Sequence, residues 1–170
     1  MQTIKYIILF FIFILSNIIG KTISQKYRFR QEELEDMQNA LNIFKTKIKF
    51  TYTPLGEIFE EISNNANKQS TKRIFLKAKK NLENNSAGKA WEKALDEINT
   101  NMDNEDINTL KNLSKLLGAS DIEGQVSQIE ITEQFLEPQI KKAQKEREKN
   151  EKLSQKLGTI VGLGIVVILC

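Results

Sequence analysis

The sequence predicts an all-α protein: an antiparallel six-helix bundle between two transmembrane helices. Three observations predict this fold class. Apolar residues recur at spacings of three and four through the middle of the chain, which is typical of helices with one buried face. Prolines occur only at positions 54 and 138, and strand-like alternation of β-branched residues is missing. Both ends of the chain are strongly apolar.

The two apolar ends predict two membrane spans. The N-terminal segment YIILFFIFILSNII (6–19) lies between Lys5 and Lys21. It lacks the small-residue cleavage pattern of a secretory signal peptide, which favours an uncleaved span; cleavage remains the alternative and would leave a tail-anchored extracytoplasmic bundle. The C-terminal segment 157–170 reaches about 20 Å as a helix, short of a bilayer of about 30 Å, but nothing after it could cover its apolar surface. We therefore predict spans at 3–23 and 157–170 around a bundle at 24–156.

Basic residues flank both predicted spans on the side of the bundle. The positive-inside rule then places the bundle in the cytoplasm and both termini outside it. Anionic lipid is the simplest partner for these clusters. The stretch 144–152 contains no apolar residue, which predicts a solvated, membrane-proximal stalk. The flanking residues are Lys21, Lys26, Arg28, Arg30, Lys141, Lys142, Lys145, Arg147, Lys149, Lys152 and Lys156.

Composition argues against several classes of protein. The 170-residue chain has no histidine, and its one cysteine is Cys170, which argues against Cys/His zinc sites, disulfides and imidazole-dependent catalysis. The net charge is +3 with acidic and basic residues mixed, so no broad nucleic-acid face is predicted. The segment DNEDIN (103–108) lacks EF-hand spacing and indicates a helix start. We predict no catalytic, cofactor-binding or metal-binding residue, and no enzyme.

Helical spacing assigns the buried face of the first four helices. Thr53 is predicted as the N-cap of helix 2 with Pro54 at its first position, and Ser86 as the cap of helix 4. Trp91 lies among alanines and is predicted to be a core anchor rather than a ligand platform. The predicted core positions are Leu34, Met37, Leu41, Phe44 and Ile48 in helix 1; Leu55, Ile58, Phe59 and Ile62 in helix 2; Ile74, Phe75, Ala78 and Leu82 in helix 3; and Ala87, Ala90, Trp91, Ala94, Leu95 and Ile98 in helix 4.

The last two helices are predicted in the same way. Helix 5 begins at Asp103 or Asn104, Gly118 supplies a left-handed C-cap, and Ser120 with Glu123 forms a capping box for helix 6. Pro138 predicts a kink near 134–138. The core positions are Ile107, Leu110, Leu113 and Leu117 in helix 5, and Ile122, Val126, Ile129, Leu136, Ile140 and Ala143 in helix 6.

Two further groups of residues are candidate contact sites. The first helix of the bundle leaves the membrane and the last returns to it, so with short loops the bundle needs an even number of antiparallel helices. The TYTPL loop after helix 1 and the Gly118 turn before helix 6 are then predicted to lie at the end of the bundle far from the bilayer. This end is a candidate docking surface, with Tyr52, Thr53, Pro54, Leu55, Gly118 and Asp121. In the spans, small residues four apart allow close packing of the spans on each other or on partner spans; they are Ser16 with Gly20, and Gly158 with Gly162.

Several segments, in this order, resemble the stage III sporulation protein AB family. They are a first span and a basic segment, then Thr53-Pro54-Leu55, Ala90-Trp91, LGASDIEGQ (117–125) and the closing KNEKLSQKLGTIVGLGIVVIL. The likeness covers nearly the whole chain. Pro138 departs from the family pattern and puts the straightness of helix 6 in doubt.

The resemblance implies a fold and a role. The fold is a cytosolic six-helix bundle distantly similar to the cytoplasmic domains of the type II secretion platform protein. The role is that of a non-enzymatic membrane scaffold, in the mother-cell membrane facing the forespore, within a secretion-like channel between the two cells. The implied partners are membrane lipids and the other stage III A-operon proteins, including a secretion-type ATPase, and indirectly forespore protein Q, with self-association as a further possibility.

Overall fold

The computed structural model describes residues 2–169, without the side chains of residues 2–7, 155, 158, 166, 168 and 169. Within these residues the chain forms six α-helices and no strand, as the sequence predicts. A short 3₁₀ helix, Asn112–Lys115, follows the fifth. The α-helices are α1 (Gln2–Thr51), α2 (Leu55–Asn65), α3 (Gln69–Asn81), α4 (Ala87–Glu97), α5 (Asn104–Lys111) and α6 (Ile122–Leu169).

The chain divides into two compact units. One, here called the bundle, is Glu32–Lys141. The other, here called the terminal unit, contains the residues up to Gln31 and those from Lys142 onward. Helices α1 and α6 are each unbroken across these boundaries. The span and domain limits predicted from the sequence remain predictions.

An aromatic cluster forms the centre of the bundle. Phe44 from α1, Phe59 from α2, Phe75 from α3 and Trp91 from α4 are all fully buried, with ring centroids 5.1–6.4 Å apart. Tilted and edge-on contacts at such distances are favourable beyond the area that they bury. The Trp91 Nε1–H donates to the carbonyl of Leu110 at 2.8 Å, which satisfies the one polar group of this side chain. The prediction that Trp91 anchors the core is confirmed.

Most of the predicted core positions are buried. All five positions of the α1 stripe have at most 5% exposure. Ile122 is an exception at 37%, because it is the first residue of α6 and follows an exposed turn. Half-buried positions lie mainly near helix ends: Leu55, Leu82, Ala87, Ile98, Ile107 and Ile140.

Two predicted helix caps are wrong by one residue. The N-cap of α2 is Pro54, whose carbonyl accepts from Glu57 and Ile58, while the Thr53 hydroxyl hydrogen-bonds to that of Thr51. The hydrogen bonds at the start of α2 are accepted by a backbone carbonyl, which every residue type has. The good capping side chain of Thr53 therefore does not determine where α2 begins.

The start of α6 differs from its prediction in the same manner. The Asp121 side chain accepts from the Gly124 N–H at 2.9 Å, whereas the Ser120 hydroxyl donates to the Leu116 carbonyl. Asp121 is therefore the cap, and the predicted Ser120–Glu123 capping box is not formed.

The predicted starts of α4 and α5 are found, whereas the predicted end of helix 5 is not. Asp103 caps α5 in a reciprocal capping box with Asp106. Ser86 is at the N-cap position of α4, without a side-chain cap bond. Gly118 has the left-handed φ of 70° that was expected of it, but it is not the C-cap of α5: that helix ends at Lys111 with Asn112 as its C-cap, and Gly118 lies in the turn after the 3₁₀ helix. Helix α6 continues through Pro138, and the predicted kink there remains a prediction.

Two acidic residues of α1 hold loops of the bundle in place. Asp36 is 5% exposed and accepts from the backbone N–H groups of Asn67 (3.0 Å) and Lys68 (2.9 Å), directly before α3. Glu33, 8% exposed, accepts from the backbone N–H of Asn101 at 2.7 Å. A side chain of α1 thus fixes the two residues that lead into α3, whose N-cap residue Lys68 makes no side-chain cap bond itself.

The Asp36→Ala substitution is expected to destabilise the protein by about 1–3 kcal/mol, because it leaves the Asn67 and Lys68 N–H groups without their acceptor. Urea unfolding of the full chain in detergent, followed by circular dichroism, would measure this. The matched control is Glu92→Ala, an exposed acid of α4, which is expected to change stability by less than about 0.5 kcal/mol. Equal effects of the two substitutions would show that Asp36 does not stabilise the loop before α3.

Candidate functional site

The terminal unit places most of its large apolar side chains on its outside, while small and polar residues, together with Leu9, lie inside. Gly20, Ser24 and Gly162 are buried, and Ser16, Asn17 and Thr159 are partly buried. This is the reverse of a water-soluble helical pair and is typical of helices that pack in lipid. The exposed large apolar residues are Ile8, Phe10, Phe11, Ile14, Leu15, Ile18, Ile19, Ile23 and Phe29 of α1, and Leu153, Leu157, Ile160, Val161, Leu163 and Val167 of α6.

The two terminal segments contact one another inside this unit. A Cβ built on Gly162 would lie 3.0 Å from Phe13 and 3.2 Å from the Ser16 Cβ, so the α6 backbone passes close to α1. The Thr159 hydroxyl donates to the Asn17 side-chain carbonyl at 2.8 Å. The structure therefore brings together Ser16 and Gly162 of the predicted packing residues. For Gly158, the structure describes only its place in α6, so the prediction for this residue lies outside what is described.

Polar side chains connect the predicted stalk, 144–152, to α1. Arg30, only 7% exposed, donates to Glu146 at 2.6 Å, and Arg147 pairs with Glu151 at 3.0 Å and approaches Gln31 at 3.5 Å. The stretch 144–152 has no apolar side chains to pack, and polar pairs connect it to α1; the membrane-proximal stalk remains a prediction. Arg30 and Arg147 thus have protein partners.

The remaining basic residues of the predicted set differ in their surroundings. Arg28 lies 5.2 Å from the Phe29 ring centroid, and Lys142 makes a further polar contact. Lys141 pairs with Glu137 at 2.6 Å, and its hydrogen bond and charge hold the pKa of that carboxyl below its usual value. The exposed members of the set are Lys21, Lys26, Lys141, Lys142, Lys145, Lys149, Lys152 and Lys156.

The predicted docking residues lie partly together at one turn region of the bundle. The Leu55 Cδ1 atom is 3.4 Å from the position of a Cβ built on Gly118, so the first residue of α2 lies close to the turn before α6. Tyr52 is 73% exposed and has a φ of 52°, which is unusual for an aromatic residue. Pro54 and Asp121 are exposed, and Thr53 is partly exposed.

The described residues contain no group of three or more His, Cys, Asp or Glu side chains that could hold a metal ion. The buried acids that are present have structural partners. Glu33 and Asp36 bind loops, and Asp106 caps α5. Glu33 and Asp36 were missed from the sequence, although their spacing of three and four with Ala40 places them at the edge of the buried stripe.

Among the described residues, α1 is the helix long and apolar enough to cross a membrane by length and composition. A soluble core helix or a signal sequence can meet the same criterion, so this finding alone is weak. Only 17% of the apolar segment of α1 is buried, whereas most of such a segment would be buried in a typical core helix.

A helical bundle whose first and last helices continue into an apolar pair defines the class: an all-α protein with a candidate membrane anchor. The family model for stage III sporulation protein AB matches residues 5–170, and the chain belongs to this family of sporulation proteins. The resemblance noted in the sequence is thereby confirmed.

Two relatives agree with this membership. Stage III sporulation protein AB of Bacillus subtilis (strain 168) is 24% identical over 163 residues, which cover 94% of this chain and 95% of the relative. A solved structure of stage III sporulation protein AB (SpoIIIAB) superposes with a TM-score of 0.63 at 22% identity, covering 70% of this chain and 96% of that one. That likeness supports the helical fold, and these relatives carry the name of a sporulation protein rather than of an enzyme.

Proposed function

We propose that this chain is a membrane-anchored, non-enzymatic scaffold of the secretion-like sporulation channel between mother cell and forespore. Its location is the mother-cell membrane facing the forespore, with the bundle in the cytoplasm and both termini outside it. Its partners are membrane lipids and the other stage III A-operon proteins, including the secretion-type ATPase, with an indirect link to forespore protein Q. Self-association of the anchor segments is part of this proposal.

The observation that carries the membrane part is the reversed arrangement of the terminal unit. Thr159 and Asn17 satisfy each other inside, and the outward face is formed by large apolar side chains. In water, so large an apolar surface would favour aggregation. In lipid the same surface needs no cover, and close approach at Gly162 together with the interhelical hydrogen bond would hold the two segments together.

The scaffold part is supported by how the bundle uses its polar groups. Glu33, Asp36 and Asp106 hold loops and helix starts instead of pointing into a shared cleft. A catalytic site needs a nucleophile, a base and an electrostatic stabiliser within mutual reach. The exposed lysines of α6, Lys145, Lys149 and Lys152, suit a role at an anionic lipid surface.

Cysteine labelling tests the topology directly. Full-length protein is expressed in sporulating cells that lack their own copy, once with Cys170 alone and once as Asn84→Cys in a Cys170→Ser background. Asn84 lies in the exposed turn after α3, where a new thiol is accessible if the reagent reaches it. We expect an impermeant maleimide to label Cys170 in intact cells, and Asn84→Cys only after permeabilisation.

The opposite pattern would overturn the proposal. Labelling of Asn84→Cys in intact cells would place the bundle outside the cytoplasm and leave a tail-anchored extracytoplasmic bundle that binds lipid or cell-surface partners. Release of the protein from membranes by alkaline carbonate would exclude the anchor itself. Complementation of sporulation by both cysteine variants is the control that each is folded and active.

A further inference from the structure

Helix α3 carries basic residues on a surface that the interactions described so far do not use. Its thirteen residues include five cations and no acid, although the whole chain has a net charge of only +3. The buried face of the helix contains Ile74, Phe75 and Ala78. The cations therefore lie at the edges and on the outside of α3; they are Lys72, Arg73, Lys77, Lys79 and Lys80.

An open groove of about 820 Å³ runs along this outer surface. Its apolar part is formed by Leu76, which is 57% exposed, and by the half-buried Leu82 and Ile98. Gly56 of α2 borders it and adds no side chain, which keeps the groove wide. All the lining residues belong to the bundle; the others are Arg73, Lys77, Lys79, Lys80 and Glu83.

Two of the lining cations are neutralised and two are not. Lys77 pairs with Glu97 at 2.5 Å, and Lys79 pairs with Glu60 at 2.8 Å. Arg73 and Lys80 are exposed, and no ion pair within the described part of the chain involves either of them. With Leu76 they follow a spacing of three and four, so a leucine lies between two cations on one face of α3.

We propose that this groove is the docking site for an acidic, amphipathic segment of another protein, with one or two apolar side chains on Leu76, Leu82 and Ile98 and carboxylates at Arg73 and Lys80. Charge complementarity determines the choice of occupant: neither cation has a counter-ion within the described residues, and the exposed side chain of Leu76 lies between them on the same face of α3. The site is separate from the surfaces assigned above and does not depend on the membrane topology.

The densest acidic run of this chain is not available to fill the groove of a second copy. Its densest acidic run, 32–36, is already engaged within its own bundle, since Glu32 pairs with Lys68, Glu33 binds Asn101 and Asp36 binds the start of α3. These groups could reach the groove of a second copy only by leaving those partners.

Nucleic acid and lipid fit the same groove less well. Glu83 lines it, and Glu60 and Glu97 are ion-paired beside it. A nucleic-acid backbone carries a charge at every nucleotide and would meet these carboxylates, whereas a peptide can place its acids at Arg73 and Lys80 alone. The lining contains no aromatic side chain on which a base could stack. A peptide, in contrast, uses the apolar strip and the two cations together.

Photo-crosslinking tests the proposal in the intact chain. Leu76→p-benzoylphenylalanine is introduced into the full-length protein in sporulating cells, irradiated, and its adducts are identified by mass spectrometry. Lys89→p-benzoylphenylalanine, at an exposed position of α4 outside the groove, is the positional control. We expect one protein adduct at Leu76, with the crosslinked segment rich in Asp and Glu around an apolar residue, and no such adduct at Lys89.

Charge reversal then tests the mechanism of binding. Arg73→Glu with Lys80→Glu is expected to reduce the adduct by about tenfold or more, since it places like charges against the acidic segment. The matched variant Lys89→Glu with Lys115→Glu makes the same change in net charge at exposed positions outside the groove, and is expected to leave the yield unchanged. Unchanged thermal melting of both double variants establishes that each is folded.

Several outcomes would overturn the proposal. These are an adduct with lipid, nucleic acid or a second copy of this chain, the absence of any adduct at Leu76, and an equal loss of adduct in both double variants. The cysteine labelling described above is independent of all of them, so failure of one proposal is distinguishable from failure of the other.

Discussion

The Trp91→Ala substitution is expected to destabilise the protein by about 3–5 kcal/mol, because it removes the largest fully buried side chain of the bundle. The stacked ring of Phe59 and the tilted ring of Phe75 both lose their partner. The cavity would lie among side chains from three other helices, which can collapse only partly into it. For a chain of this size the melting temperature would fall by roughly 10 °C, measurable by circular dichroism in detergent.

Two further variants separate the causes of this loss. Trp91→Phe keeps a ring in the cluster but removes the hydrogen bond from Nε1 to the Leu110 carbonyl, so we expect a smaller loss of about 1–2 kcal/mol. Phe135→Ala removes an aromatic side chain that is 60% exposed, and is expected to cost less than about 0.5 kcal/mol. If Trp91→Ala were as mild as Phe135→Ala, the aromatic cluster would not be the core.

The second large effect is expected at Gly88, where α4 passes directly over the 3₁₀ helix. A Cβ at this position would lie 2.2 Å from the backbone carbonyl oxygen of Ser114, a distance that no side-chain rotation can relieve. Gly88→Ala therefore requires a backbone shift, and we expect a destabilisation of about 1–3 kcal/mol by urea unfolding of the full chain.

Gly56→Ala is the matched control for this substitution. It makes the same chemical change in α2, where the nearest atom to the new Cβ, Leu82 Cδ1, is 3.8 Å away. Alanine favours the helix over glycine, so Gly56→Ala should leave stability unchanged or raise it by up to about 1 kcal/mol. Equal losses at both positions would contradict the close approach at Gly88.

Periodicity was sufficient to predict the helices and most of their buried faces. The α1 stripe from Leu34 to Ile48 is an example, because a helix that covers a core must repeat apolar residues every three or four positions. The helix starts were predicted less well. Thr53 and Ser120 have good capping side chains, but Pro54 and Asp121 provide the caps, and a choice between adjacent candidates depends on backbone geometry.

Interactions between residues far apart in the chain could not be predicted from one sequence. Glu33 and Asn101 are 68 positions apart, and Arg30 and Glu146 are 116 apart. Asn101 is a polar loop residue and the other three are charged residues on helices, and for both kinds solvent exposure is the usual expectation. The sequence also could not predict that Arg73 and Lys80 make no ion pair within the described residues, because acidic residues elsewhere in the chain balance their charge in the composition.

The hydrogen bond between Asn17 and Thr159 has a consequence for how the protein is made. The two residues are 142 positions apart, so Asn17 leaves the ribosome long before its partner exists. If the first segment enters the bilayer at once, its side-chain amide has to be satisfied during that interval by its own helix. The Asn17 amide nitrogen donates to the Phe13 carbonyl within the same helix at 2.8 Å. The Asn17 side-chain oxygen can accept from Thr159 only after the last part of the chain has been synthesised.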